Sequence, residues 1–242
     1  MKKKLIIVIS SIISFLLIAV IVWVEVGIHV EWGPFKFLAF DKRESEIIKT
    51  YNADERKNEI VFYGASNFRL WKEMEEDMKP FVVQNHGFGG STDKDLVERA
   101  DKLLYPYDPS IVVFQTGSND YSNQKGNKEE ILTKVIEQKK EMYLEFHNTL
   151  PNAKFAVISG ILMPGRKQYD EIVKQVNVFL RSYCSELDYM YFVDAEDMTI
   201  DQNGNHIESM FIKDGIHLTH DARIKWADEY IKPVLEDIVS NQ

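Results

Sequence analysis

The 242-residue sequence has almost no cysteine and no basic region beyond its first few residues. Cys184 is the only cysteine, so an internal disulfide and a cysteine-based metal site are both excluded. Asp and Glu number 38 against 29 Lys and Arg, for a net charge of -9, and no basic stripe with interleaved aromatic residues occurs. This charge balance argues against nucleic acid as a partner. No His, Asp and Glu cluster has metal-ligand spacing and no phosphate-binding loop is present, so we expect neither metal nor cofactor.

The first residues have the composition of a membrane anchor. Lys2, Lys3 and Lys4 precede an uncharged apolar run over 5–24, and roughly 20 such residues can cross a bilayer core as a helix. A cleavable signal peptide has a shorter apolar region and a small-x-small cleavage site. Lysines before the run and Glu25 after it place the N-terminus in the cytoplasm. The sequence predicts an uncleaved transmembrane signal anchor over 1–25 and an exported remainder, with a cleaved signal or a buried core helix as alternatives.

The remainder shows the pattern of a single α/β domain. After a charged juxtamembrane connector over 26–56, short apolar runs alternate with segments of helical period. Near-continuous apolar strands separated by helices indicate a parallel sheet covered on both faces. We therefore predict that residues 57–242 form a flavodoxin-like three-layer α/β/α sandwich. Its five-stranded parallel sheet has strands at 59–64, 81–87, 111–117, 154–160 and 189–195.

Helices are predicted between these strands. The segment 93–104 carries Leu96, Ala100, Leu103 and Leu104 on one face, and Thr92 with Asp95 has the spacing of a capping box. Further helices are predicted over 128–150 and 169–187, with a last helix beginning near Thr219. Cys184 falls in the second of these segments, where a half-buried structural thiol is expected.

Four of the five predicted strands end in glycine, and polar residues follow at the edge where a parallel sheet places its site. The stretches are "GASNFRLW" (64–71), "NHGFGGST" (85–92), "GSNDY" (117–121) and "DGIHL" (214–218). Each has a purely structural explanation when taken alone. Ser66 could cap a helix, and the paired glycines or the Asp-Gly step could simply form turns.

Taken together and in this order, the four stretches resemble the SGNH (GDSL-type) hydrolase family, whose blocks carry a Ser, a Gly, an Asn and a His. The resemblance runs from about residue 59 to about residue 238. The first block departs from the namesake motif, because Gly-Ala-Ser-Asn stands where Gly-Asp-Ser-Leu is usual. The serine itself is retained, so this departure bears on the substrate more than on catalysis.

A serine hydroxyl needs a base within hydrogen-bond reach to become a nucleophile. The resemblance implies Ser66 as the nucleophile and His217 as that base, with Asp214 holding one ring nitrogen as a donor. It assigns the oxyanion hole to the backbone N–H groups of Ser66 and Gly90 and to the side-chain amide of Asn119. We expect the segment 162–167 to flank the pocket, which makes its arginine a candidate for substrate contact.

These residues and the exported topology predict a membrane-anchored, extracytoplasmic serine esterase. Its expected substrate is a small-molecule or glycan-linked ester carrying a short acyl group such as acetyl, with lipid esters as the other option. An O-acyltransferase acting on cell-envelope glycans with the same residues is the first alternative. A non-catalytic surface binding module is the second.

Overall fold

The computed structural model describes residues 12–24 and 36–241. Helix α1 covers residues 12–24, and α2 spans Lys36–Thr50. Contacts divide the chain into two compact units, Met1–Glu46 and Ile47–Gln242. Within the described ranges, no helix combines the length and the apolar character needed to cross a membrane. The part of the predicted anchor before residue 12 lies outside the described residues, and the predicted boundaries at 25 and 56 stay predictions.

The second unit is built on a five-stranded sheet in which every neighbouring pair is parallel, as predicted. The strands are β1 (Ile60–Gly64), β2 (Val83–Asn85), β3 (Ile111–Gln115), β4 (Lys154–Ile158) and β5 (Met190–Val193). Their order is β2-β1-β3-β4-β5, the order of flavodoxin-like sheets. One detail of the prediction was wrong, since only β1 reaches its glycine. Gly117, for example, has a φ of 104°, which lies outside the β region, and β3 ends before it at Gln115.

The helices of this unit follow the predicted alternation. They are α3 (Ser66–Arg69), α4 (Met74–Asp77), α5 (Asp93–Leu103), α6 (Ser118–Asn123), α7 (Lys128–Thr149), α8 (Asp170–Ser185), α9 (His220–Lys225) and α10 (Lys232–Ser240), with a π-helical turn at Trp226–Ile231. The predicted capping box is confirmed, because the Thr92 side chain accepts from the Asp95 N–H and the Asp95 side chain accepts from the Thr92 N–H. The predicted apolar face of α5 is buried.

Two aromatic clusters form the core on opposite faces of the sheet. Successive residues of a strand point to opposite faces, so Phe62 and Tyr63 of β1 belong to different clusters. Phe62 makes edge contacts with Phe68 and Trp71, and Trp71 stacks on Trp226. The Tyr63 ring contacts other aromatic residues on the side of α5 and α7, and its hydroxyl donates to the Leu96 carbonyl of α5 over 2.6 Å. These rigid faces hold the strand ends that carry the site.

Candidate active site

Ser66 stands at the junction between β1 and α3. A Cβ on Gly64 would approach the Gln115 carbonyl oxygen of β3 to 2.5 Å, so only glycine lets β1 end this close to its neighbour. The next residue, Ala65, is the N-cap of α3 and supplies no side-chain cap. Ser66 is therefore the first helical residue, and its N–H has no acceptor within the helix. The strand end thus presents a hydroxyl and a backbone donor at the same residue.

His217 and Asp214 occupy a tight loop before α9. The Asp214 Oδ1 atom accepts the N–H groups of Ile216 at 2.8 Å and His217 at 3.0 Å, which folds the loop back on the carboxylate. The Ile212 N–H donates to the His217 carbonyl over 2.8 Å, and this bond closes the loop from the other side. The sequence spacing of three residues therefore places the two side chains together.

The three side chains form a continuous hydrogen-bonded row. The His217 Nδ1 atom lies 2.6 Å from the Asp214 Oδ2 atom, and the Ser66 Oγ atom lies 2.8 Å from His217 Nε2. A carboxylate can only accept, so Nδ1 carries the ring proton, and Nε2 is left to accept from the serine hydroxyl. This is the tautomer that a serine-activating base requires.

The Asp214 carboxyl stays ionised although it is partly withdrawn from water. Burial opposes its ionisation, but the His217 N–H, the His217 ring and the Ile216 N–H outweigh that effect and hold the pKa of Asp214 below its ordinary value. The Asp214 side chain is 40% exposed and that of His217 is 22% exposed. The row therefore opens to solvent at its acidic end and carries a stable negative charge there.

The structure brings the other two predicted site residues next to each other. Gly90 has a φ of 67°, a left-handed conformation that side chains other than glycine rarely adopt. Asn119 is buried in the first turn of α6, and its Nδ2 atom donates to the carbonyl of Ser91, the residue after Gly90, over 2.9 Å. Arg166 donates to Asn119 Oδ1 over 3.0 Å. The arginine that was a candidate for substrate contact is thus bonded to a predicted oxyanion residue.

Sequence reasoning missed a residue that joins the two halves of the row. Asn67 is buried, and its Oδ1 atom accepts the N–H of Leu218 over 3.1 Å. The bond connects the residue after Ser66 with the residue after His217. Asn67 is also one of the two positions, with Ala65, at which the first block departs from Gly-Asp-Ser-Leu, and this departure was the available signal.

A buried charged cluster, missed in the sequence, lies behind Asn119. The Lys139 Nζ atom lies 3.1 Å from Asp93 Oδ2 and 2.7 Å from Thr116 Oγ1, with the Lys139 and Asp93 side chains 2% and 1% exposed. The Asp93 N–H donates to Asp120 Oδ1 over 2.9 Å. Lys139 shares the face of α7 that carries buried Val135 and apolar neighbours, so a lysine at a core position was the available signal.

His86 and His220 lie outside the row. His86 is fully buried, with its ring nitrogens on the Leu103 carbonyl and the Gln84 side chain. His220 contacts Asp77 over 3.0 Å. Within residues 12–24 and 36–241, no three His, Cys, Asp or Glu side chains lie together as a metal site requires. Cys184 is buried, with 3% of its surface exposed, rather than half-buried as expected. This burial raises the pKa of its thiol to about 12, so Cys184 does not supply a thiolate.

A doubly wound sheet with a Ser-His-Asp row at its carboxyl edge defines the class of the α/β serine hydrolases. Comparison with known proteins narrows this class. Residues 61–222 match the GDSL-like Lipase/Acylhydrolase family, and this match covers more than half of the chain. The protein therefore belongs to the GDSL-like lipase/acylhydrolase family and is an ester-hydrolysing enzyme. No curated protein matches the chain in sequence.

Solved structures share the fold at low sequence identity. A Streptococcus pneumonia protein named as a platelet activating factor has a TM-score of 0.65 at 18% identity, over 82% of this chain and 91% of its own. A GDSL-like lipase from Bacteroides thetaiotaomicron has a TM-score of 0.62 at 16% identity, over 84% of this chain and 97% of its own. A carbohydrate esterase family 3 protein from Talaromyces cellulolyticus has a TM-score of 0.56 at 17% identity, over 76% and 99%.

Proposed function

We propose that the protein is a serine esterase that removes short O-acyl groups, such as acetyl, from a small-molecule or glycan-linked ester. The observation that carries the proposal is the unbroken row from Ser66 Oγ through the His217 ring to Asp214, with both distances below 3 Å. The family membership supports ester chemistry. A structural neighbour named as a carbohydrate esterase supports a carbohydrate as the alcohol portion.

In the proposed mechanism the Ser66 Oγ atom attacks the ester carbonyl carbon while His217 Nε2 takes the hydroxyl proton. The N–H groups of Ser66 and Gly90 and the Asn119 amide stabilise the charge that develops on the carbonyl oxygen. His217 then gives the proton to the departing alcohol. Water repeats the sequence on the acyl-enzyme, which releases the carboxylic acid and restores the serine.

The test is hydrolysis of p-nitrophenyl esters from acetate to octanoate by the full chain. We expect the highest kcat/KM on acetate, and we expect Ser66→Ala and His217→Ala each to lower kcat by about 10⁴-fold or more. Ser182→Ala is the matched control, because this exposed serine of α8 bonds only surface groups among the described residues. Full activity of Ser66→Ala would exclude the mechanism. A preference for octanoate would shift the proposed substrate to a lipid ester.

We further propose that the N-terminal apolar run anchors the enzyme in the cell membrane, with the catalytic domain outside the cytoplasm. The support is the apolar length of residues 5–24, together with Lys2–Lys4 before them and Glu25 after them. Treatment of intact expressing cells with protease should degrade the catalytic domain, and the enzyme should remain with the membrane after a high-salt wash. Recovery of the enzyme in the culture medium would favour a cleaved signal.

A further inference from the structure

Arg166 makes two hydrogen bonds to the segment that carries Asn119. It lies in the 3-10 helical segment Pro164–Tyr169, which follows β4. Its Nη2 atom donates to Asn119 Oδ1 over 3.0 Å, and its Nη1 atom donates to the Ser118 carbonyl. A planar guanidinium can hold two acceptors in this way at once, whereas an ammonium is a single point charge. Arg166 therefore bonds the first turn of α6 at two points, the backbone carbonyl of Ser118 and the side chain of Asn119.

These bonds determine which way the Asn119 amide faces. A guanidinium only donates and a backbone carbonyl only accepts, so Oδ1 must lie toward Arg166 and Nδ2 toward Ser91. The bond to Ser91 uses one of the two Nδ2 hydrogens, which leaves the other for the substrate oxygen. A flipped amide would present its own oxygen to the developing oxyanion and would repel it.

The backbone next to Arg166 packs against the loop that carries His217. The Gly165 N–H donates to the Gly215 carbonyl over 2.9 Å, and a Cβ on Gly165 would come within 2.6 Å of the Asp214 carbonyl oxygen. The segment thus lies between the proton-transfer loop and the Asn119 amide. Its position fixes Arg166 relative to both.

We infer that Arg166 is a positioning residue of the oxyanion hole, which orients the Asn119 amide and so acts on the reaction through Asn119 rather than through the substrate. The inference rests on the proposed function, because it presumes that Asn119 stabilises an oxyanion. From the sequence alone, this arginine is a candidate for substrate contact instead.

A double-mutant cycle separates the two roles. We expect Asn119→Ala to lower kcat on p-nitrophenyl acetate by about 10²- to 10³-fold, and Arg166→Ala to lower kcat by about 10- to 100-fold with KM changed by less than threefold. If Arg166 acts through Asn119, adding Arg166→Ala to Asn119→Ala should lower kcat by no more than about threefold further. A full additive loss, or a rise in KM as the main effect, would overturn the inference in favour of substrate contact.

One further variant and a chemical rescue guard against a trivial loss of structure. Arg181→Ala is the matched control, because Arg181 pairs with Asp194 at the surface and should leave kcat unchanged. Added methylguanidinium should restore part of the kcat of Arg166→Ala and none of that of Asn119→Ala. If Arg166→Ala unfolds at the same urea concentration as wild type and methylguanidinium still restores none of its kcat, the positioning role is contradicted.

A measurement without substrate keeps this inference distinct from the proposed function. In an ¹H–¹⁵N spectrum of the full chain, the Asn119 side-chain amide is the signal pair that disappears in Asn119→Ala. We expect that pair to shift and broaden in Arg166→Ala and to stay in place in Arg181→Ala. Wild-type protein that hydrolyses no ester would defeat the proposed function, whereas an unmoved Asn119 signal in Arg166→Ala would defeat the positioning role.

Discussion

Asp214 and Asp120 are two carboxyls near the same edge of the sheet, and they are held in opposite ways. Both oxygens of Asp214 accept hydrogen bonds, from two backbone N–H groups and from the His217 ring. Asp120 accepts one backbone N–H from Asp93, and its Oδ2 atom is buried with no hydrogen-bond partner among the described residues. Asp214 is thus partly open to water with both oxygens hydrogen-bonded, whereas Asp120 is buried with only one of its oxygens hydrogen-bonded.

The balance between burial and hydrogen-bond donors, rather than the residue type, determines which of the two carboxyls carries negative charge. The bonds to Asp214 hold its pKa below the ordinary value despite partial burial. Burial, followed by the charge of Asp93, raises the pKa of Asp120 to about 7. Negative charge therefore stays on Asp214, beside the general base His217. Asp120, the residue after Asn119, can keep its proton.

The largest expected effect is on kcat, and it is seen by replacing each of the two aspartates with asparagine in separate variants. Asp214→Asn leaves the shape of the site but favours the wrong His217 tautomer, so we expect kcat to fall about 10³- to 10⁴-fold. Asp120→Asn resembles the protonated acid and should change kcat by less than tenfold. Steady-state kinetics on p-nitrophenyl acetate at about pH 6, where Asp120 still holds its proton in the fold, measures both. Equal losses in the two variants would contradict the distinction drawn here.

The buried cluster should govern stability as the row governs catalysis. Lys139→Met removes the cation that pairs with Asp93 and leaves an uncompensated charge in the core. We expect the free energy of unfolding in urea to fall by about 3–5 kcal/mol. Adding Asp93→Asn should recover part of the loss, because the unpaired charge is gone. A double variant less stable than Lys139→Met would show that the carboxylate has another role.

The raised pKa of Asp120 predicts a pH dependence of stability. In the unfolded chain this carboxyl ionises near its ordinary value of 3.8, whereas in the fold it keeps its proton up to about 7. The folded state binds more protons across that interval, so its stability falls as pH rises from about 4 to 7. Asp120→Asn should be stabilised relative to wild type at pH 8, by a few kcal/mol at most.

This pH dependence is measured as the difference between wild type and Asp120→Asn in the free energy of unfolding, followed across pH. Groups away from the buried cluster of Asp93, Lys139 and Asp120 titrate equally in wild type and Asp120→Asn, so the difference in free energy of unfolding isolates the effect of ionising residue 120 within that cluster. It should be near zero at pH 4 and should grow until about pH 7. Curves that stay parallel from pH 4 to 8 would mean that Asp120 ionises normally in the fold.

The sequence predicted what depends on local pattern. Strand and helix alternation predicted the sheet. Ser66, Gly90, Asn119, Asp214 and His217 were predicted as site residues because their four blocks, in this order, resemble those of the SGNH hydrolases. The contacts of Arg166, Asn67 and Lys139 depend instead on loops brought together over long distances in the chain. Asn67 and Leu218 are 151 residues apart, and no local spacing encodes such a pair.

The strand ends show the same limit on a smaller scale. Apolar residues and a following glycine predict a strand that runs into the glycine, but the ladder stops where the backbone leaves the β region. Gly117 does so with its φ of 104°. Gly117 is the N-cap of α6, so the backbone conformation that the pattern misses also begins the helix whose first turn carries Asn119.

The smallest expected effect concerns the bond that ties the two halves of the row. Asn67→Ala leaves the buried N–H of Leu218 without its acceptor, which should lower the free energy of unfolding by about 1–3 kcal/mol. The loop of His217 loses its link to the residue after Ser66, so kcat should fall while KM changes little. Urea unfolding and steady-state kinetics on p-nitrophenyl acetate measure the two effects.

Asn203→Ala is the matched control for this substitution, because residue 203 lies in an exposed surface loop and bonds Asp201 of the same loop. It should leave stability within about 0.5 kcal/mol of wild type. If Asn67→Ala is equally neutral, the bond to Leu218 does not hold the row together. If Asn67→Ala loses stability but keeps its kcat, the bond supports the fold, and the position of His217 is set by the Asp214 loop alone.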